Sequence, residues 1–296
     1  MDQQISPPAT AAHSIPQWEF IALCAALMAL NALAIDIMLP GLQQIGASLG
    51  VESENPRQFV ITAYFAGMAF ALLGYGPASD TLGRRKPLLF GLAVYLLAAF
   101  AAAFAPNFET LLALRFLQGV GAASTRVITI SVVRDRFGGR QMAQTMSLIF
   151  MTFMIIPVVA PSIGQIVLLV AEWHAIFLVM AGIGLLIASW AYFRLPATQH
   201  PEDRRPFTLA SIGSAFGTVL TTRVSLWYTL GSTIIFSALF GFINSAQQVY
   251  VGIYDLGVWF PVVFACIAGM MAVSSFLNSQ LVMRLGMRRL SHGALI

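Results

Sequence analysis

Charge is what this sequence has least of. Only 9% of its 296 residues are Asp, Glu, Lys or Arg, against 58% hydrophobic residues, and the mean hydropathy is +0.80. A soluble domain carries about 25% charged residues to solvate its surface, so a water-soluble fold is excluded. Cysteine is scarce as well. Cys24 and Cys266 both sit inside apolar runs, which excludes a disulfide framework and offers no metal-ligand spacing. The histidines (His13, His174, His200, His292) are scattered, and Asp80 and Asp135 read as isolated carboxylates. A membrane-embedded transferase needs paired acids or a metal-binding set near an interface, so the chain is not expected to be an enzyme or to hold a cofactor or metal. Residues 1–16 lack a basic n-region and a short apolar core with a cleavage site, so no removable signal peptide is expected.

What is present is a succession of apolar runs. Crossing about 30 Å of hydrocarbon takes about 20 apolar residues, and eight such runs occur, near 17–40, 58–79, 87–105, 109–133, 143–169, 174–194, 224–250 and 258–283. The breaks between them hold Pro, Gly, Asn or charge, and the runs are too long for strands. Thirteen of the 16 basic residues fall in the joins after spans two, four, six and eight. The remaining joins hold only Arg57, and Arg115 and Arg126 lie inside span four. Basic residues stay cytoplasmic, which predicts a cytoplasmic N-terminus. The net charge of +4 reflects this sidedness and is no sign of nucleic-acid binding.

The longest join, from about 196 to 222, carries three prolines and the run Glu202-Asp203-Arg204-Arg205. Within it Leu209, Ile212, Phe216 and Val219 recur at helical spacing, so the segment reads either as a solvated linker or as an interfacial helix. The expected organisation is a six-helix bundle over 1–195, a linker over 196–223, and a partial second bundle over 224–296. Gly83-Arg84-Arg85-Lys86 after span two is echoed by Gly286-Met287-Arg288-Arg289 after span eight, 203 residues later. Such repeated halves enclose a substrate site between them. On that reading four further spans should follow Ile296, and the chain is expected to be incomplete at its C-terminus.

Ionisable residues inside a bilayer are costly and are functional candidates by default. Asp36 is the acidic residue deep in span one, roughly 28 Å from its cytoplasmic end, and Arg115 lies roughly 9 Å in from the outer end of span four. A protonatable carboxylate near a fixed cation suits alternating proton and substrate binding. A structural Asp36–Arg115 pair, or an Asp at a kink before Pro40, is the other reading. Arg126, three turns after Arg115, is a further candidate, or simply a snorkelling side chain. Asn31 and Gln247 are polar residues suited to a cavity or to helix–helix hydrogen bonds. Met146, Met151 and Met154 suit an adaptable, greasy cavity or ordinary packing.

Three stretches resemble motifs of the major facilitator superfamily. Gly76, Asp80, Gly83, Arg84 and Arg85 fill its loop signature Gly-x-x-x-Asp-x-x-Gly-Arg-Arg/Lys, which in that family latches the cytoplasmic side. Arg115-Phe116-Leu117-Gln118-Gly119 resembles its Arg-x-x-Gln-Gly motif, tied to proton coupling, which adds Gln118 to the candidates. In span five, Pro157, Ala160, Pro161 and Gly164 resemble the exporters' antiporter motif, with Ile156, Ala160 and Gln165 standing where that motif has glycine. Asp36-Ile37-Met38-Leu39-Pro40 and Val133-Arg134-Asp135-Arg136-Phe137 are similar to the Bcr/CflA branch. The resemblance implies an all-α major facilitator fold in a bacterial inner membrane, working as a monomer with no cofactor beyond the proton gradient. It implies proton-coupled efflux of small amphipathic drugs. A metabolite or sugar porter, or an inactive truncated remnant, are the alternative readings.

Overall fold

A computed structural model of the chain describes residues 15–51, 53–195, 209–256 and 259–293. It is helical throughout, with no strand among the described residues. The elements are α1 (Gln17–Asp36), α2 (Leu42–Ser48), α3 (Glu54–Arg57), α4 (Phe59–Leu82), α5 (Arg85–Ala102), α6 (Phe108–Arg136), α7 (Gly139–Phe153), α8 (Ile155–Val170), α9 (His174–Arg194), α10 (Leu209–Thr221), α11 (Arg223–Gln247), α12 (Phe260–Leu285) and α13 (Met287–Gly293). Seven stretches among the described residues are long and apolar enough to cross a membrane: Gln17–Ser48, Phe59–Leu82, Arg85–Ala102, Phe108–Arg136, Gly139–Val170, His174–Arg194 and Ala265–Leu285. They answer to seven of the eight expected spans, and α11, a 25-residue helix, occupies the place of the other. The chain is a multi-pass membrane protein.

Local chemistry explains the breaks. Asn107 caps α6, its side chain accepting from the Thr110 amide at 2.8 Å. Proline, which has no N–H for the carbonyl four residues back, accounts for two interruptions. Pro40 leaves the carbonyl of Asp36 without that partner, and α1 ends at Asp36. Pro157 does the same to Phe153, and span five divides there into α7 and α8. Gly83 and Gly286 end α4 and α12 with φ of +82° and +81°, a left-handed conformation that glycine reaches without a Cβ clash. The two loops of the sequence repeat thus share one backbone solution.

Without water to drive helices together, close approach and dispersion hold a membrane bundle, and small residues permit it. A Cβ on Gly119 would stand 2.0 Å from the carbonyl oxygen of Tyr64, and one on Gly67 would stand 1.9 Å from that of Phe116. α4 and α6 therefore meet backbone to backbone. α1 is apolar nearly all round, and it is buried against α6, α7, α8 and α9 at the centre of the core. The opposite faces present Phe70, Leu73, Phe90, Leu97, Leu186 and Phe193 outward, as hydrocarbon requires. α10 lies inside the long join, so the helical spacing there forms a helix, although the side chains of Leu209, Ile212 and Phe216 lie outside the described residues. The charged run 202–205 also lies outside them.

Candidate functional site

A cavity of about 370 Å³ opens between α1, α4, α6 and α7–α8 on one side and α11 and α12 on the other. Its walls are apolar, with Phe150, Phe236 and Met271 among them, and they hold two charged groups, Asp36 and Arg126. Of the three methionines read as suited to a cavity or to packing, Met154 lines the cavity, whereas Met146 packs on the core. Asp36 is 3% exposed, and its carboxyl forms no hydrogen bond or ion pair among the described residues.

Arg115 lies elsewhere. It is fully buried, and its guanidinium donates to the carbonyls of Val60 at 3.2 Å and Ala34 at 2.9 Å and to Gln118 Oε1 at 2.6 Å. The Tyr64 ring lies 4.7 Å from its Cζ. Asp36 and Arg115 thus form no ion pair: Arg115 ties α6 to the backbones of α1 and α4, while the carboxylate faces the cavity. Polar contacts continue from this cluster. Tyr64 Oη donates to Asn31 Oδ1 at 3.2 Å, and Asn31 Nδ2 donates to Thr125 Oγ1 at 2.9 Å. Asn31 also lines the cavity, so it fills both of its expected roles. The side chain of Gln247 lies outside the described residues.

Arg126 follows Thr125 and points the other way, toward α11. Its Cζ lies 5.1 Å from the centre of the Phe236 ring, a cation–π distance.

At the basic end of the bundle, Arg84 gathers the loop between α4 and α5. It donates to Asp80 at 2.5 Å, to Ser79 Oγ at 2.9 Å and to the two carboxylate oxygens of Asp135 at 2.8 and 3.2 Å. Asp80 and Asp135, read from sequence as isolated carboxylates, instead share one guanidinium. Burial alone would push Arg84 down, but its hydrogen bonds to Asp135 and Asp80 outweigh this and hold it above the ordinary arginine value. Arg85 donates to the Tyr192 carbonyl at 2.5 Å and lies over its ring at 5.0 Å. Gly76 offers its carbonyl to Ser79 and has open space where a Cβ would go.

In span five, Pro157 lines the cavity. Ala160, Pro161 and Gly164 are buried, and a Cβ on Gly164 would meet the Ile37 carbonyl at 1.9 Å. The motif residues thus seat α8 against the turn that follows Asp36.

The Major Facilitator Superfamily profile matches residues 21–296. The chain belongs to that superfamily. As a major facilitator protein it is 34% identical over 268 residues to a bicyclomycin resistance protein homolog of Haemophilus influenzae, covering 90% of this chain and 67% of that one. It is 34% identical to the MFS-type transporter YdgK of Bacillus subtilis, covering 88% of this chain and 64% of the relative. It is 33% identical to the multidrug resistance protein MdtL of Vibrio parahaemolyticus, covering 74% of this chain and 58% of the relative. The bicyclomycin resistance relative is of the Bcr/CflA branch that the stretches 36–40 and 133–137 resembled. The chain spans about two thirds of their length or less.

Solved structures agree on the fold. The human organic anion transporter MFSD10 aligns with a TM-score of 0.64 at 20% identity, over 90% of this chain and 73% of that one. A D-xylose–proton symporter aligns with a TM-score of 0.54 at 14% identity, over 89% and 65%.

Two ties of this major facilitator bundle were missed in the sequence. Glu19, in the first turn of α1, accepts two bonds of 2.6 Å from Arg194 at the end of α9. Asn278 of α12 donates to Ser147 of α7 at 2.5 Å. The one available signal was that Glu19 is an acid inside an apolar run.

Proposed function

We propose that the transporter to which this chain belongs expels small amphipathic drugs from the cytoplasm in exchange for protons, with Asp36 as the group that alternately holds a proton and releases it. The observation that carries this is the setting of Asp36: a carboxylate without a hydrogen-bond partner among the described residues, in the wall of an apolar cavity between two sets of helices. Such a group has nothing to hold its charge, so it takes up a proton when the cavity is closed and dry and releases it when the cavity opens to water. The names of the bicyclomycin and multidrug resistance relatives support the drug reading. The basic end faces the cytoplasm by the positive-inside rule, in a bacterial inner membrane, and the protein works as a monomer driven by the proton gradient. Arg115 and Gln118 act as positioning residues that hold α6 against α1 and α4, and the Arg84 loop latches the cytoplasmic end. The helices of 1–195 and of 224–296 serve as the first bundle and part of the second.

The test is drug-driven proton release from everted membrane vesicles. Asp36→Asn should abolish it while the protein still inserts. Undiminished release by that variant removes Asp36 from the mechanism.

A further inference from the structure

Arg126 stands at the junction of two cavities, one walled almost wholly by apolar side chains and one richer in hydroxyls. On one side is the apolar chamber that holds Asp36. On the other, between α4, α6 and the first half of α11, is a second cavity of about 610 Å³. Met68, Arg126 and Phe236 belong to both. The second cavity is walled on its α11 side by Ser225, Thr229, Ser232, Thr233 and Ser237. Their spacing of four, three, one and four residues places five hydroxyls on one helical face. Thr233 spends its hydroxyl on the Thr229 carbonyl at 2.8 Å, but those of Ser225, Ser232 and Ser237 have no partner among the described residues.

The guanidinium that faces these hydroxyls is equally uncommitted. Arg126 is only partly exposed, forms no ion pair among the described residues, and lies over the Phe236 ring. A guanidinium in an apolar span is costly, and the usual remedy, a carboxylate, is within 4 Å of Arg84 and Arg194 but not of Arg126. Asp36 is a poor remedy on geometric grounds. The Asn31–Thr125 bond puts Arg126 level with the middle of α1, and Asp36 lies five residues further on, roughly 7 Å along the axis. Asp36 also lines the apolar chamber only.

We propose that Arg126 and the hydroxyl face of α11 bind the negatively charged group of an amphipathic molecule whose apolar body occupies the Asp36 chamber. The pairing follows from the chemistry of the walls. A guanidinium flanked by hydroxyl donors takes a carboxylate, sulfonate or phosphate through charge-assisted bonds, and the adjoining aromatic and methionine surface takes the rest. The anion then sits on the side of Arg126 away from Asp36, where like-charge repulsion is least. This deepens the efflux reading by naming the class of substrate, and it rests on that reading for its role in transport.

Binding of two probes with one fluorophore and opposite charge tests it: dansylglycine, an acid, and dansylcadaverine, an amine, titrated onto the purified 296-residue chain in detergent. The wild type should prefer dansylglycine. Arg126→Gln should weaken dansylglycine about tenfold or more, leave dansylcadaverine within about twofold, and be largely rescued by Arg126→Lys. The double variant Ser232→Ala, Ser237→Ala should weaken dansylglycine about threefold. Equal loss of both probes in Arg126→Gln, unchanged dansylglycine binding, or a wild type that takes only the amine overturns the proposal. Displacement of dansylglycine by phosphatidylglycerol but not phosphatidylcholine identifies the anion as that of a bilayer lipid, and displacement by neither identifies it as that of a dissolved acid. Absent proton release in vesicles, with Arg126-dependent binding intact, sinks the efflux reading and leaves this site standing.

Discussion

Arg84 holds Asp135, 51 residues away in the chain, through two hydrogen bonds to its two carboxylate oxygens. The fork locks the α4–α5 loop to the last turn of α6, because a planar guanidinium can meet both oxygens at once. The Arg84 and Asp135 side chains are 5% and 16% exposed, so removing one partner strands a largely desolvated charge.

Arg84→Ala should therefore cost about 3 kcal/mol, read as a lower unfolding temperature in detergent. Arg84→Lys should recover only part of it, since one ammonium cannot span both oxygens. Because Arg84 lies above its ordinary value, its contribution is fully present below the unfolded-state value and is lost only in strong alkali, so the deficit should not change across the neutral pH range. A double-mutant cycle with Asp135→Asn should show coupling, and strict additivity would mean that the two residues act separately.

Helix contact at Gly119 sets a second expectation. With the Tyr64 carbonyl 2.0 Å from where a Cβ would lie, Gly119→Val must push α4 from α6, at a cost of about 1–3 kcal/mol or more. The folded fraction in fluorescence-detected size-exclusion chromatography should fall sharply. Gly76→Ala, with nothing within 4 Å, should elute as the wild type does. Equal profiles for the two variants would contradict the packing described.

The bond from Asn278 to Ser147, at 2.5 Å, joins α12 to α7 at the basic end of the cavity. Arg140 adds a bond to the Met283 carbonyl at 3.4 Å. With Cys24 and Cys266 replaced by alanine, the pair Ser147→Cys, Asn278→Cys should lose maleimide reactivity on mild oxidation and regain it on reduction. Persistent reactivity after oxidation would place the two helices further apart than described here.

Sidedness is tested by labelling. Ser53 is exposed in the turn between the first two spans, on the side holding a single basic residue. In a cysteine-free background, Ser53→Cys should react with a membrane-impermeant maleimide in spheroplasts, and Gly138→Cys, exposed at the basic end, only after lysis. The reverse pattern would invert the topology.

How much of this was legible beforehand follows from which properties are local. A bilayer demands about 20 apolar residues per crossing and charge between them, so the order of the spans, the basic end and the repeated glycine turns could all be read along the chain. The proline breaks after Asp36 and Phe153 are equally local, since each follows from one missing N–H. What a residue faces is another matter. α1 is apolar nearly all round, so no stripe in its sequence says how it is rotated, and two charges at similar depth need not meet. Only the packing of α6 on α4 through Gly67 and Gly119, and of α8 on α1 through Gly164, turned Arg115 toward the backbones of Val60 and Ala34 and left Asp36 in the cavity. The same packing brought Asp135 to Arg84 and aimed Arg126 at the hydroxyl face of α11. The sequence determined where the chain crosses the membrane and which residues are charged within it. The tertiary structure alone decided which of those charges are spent on holding helices together and which line a cavity, because helix rotation is set by contacts between segments distant in the chain.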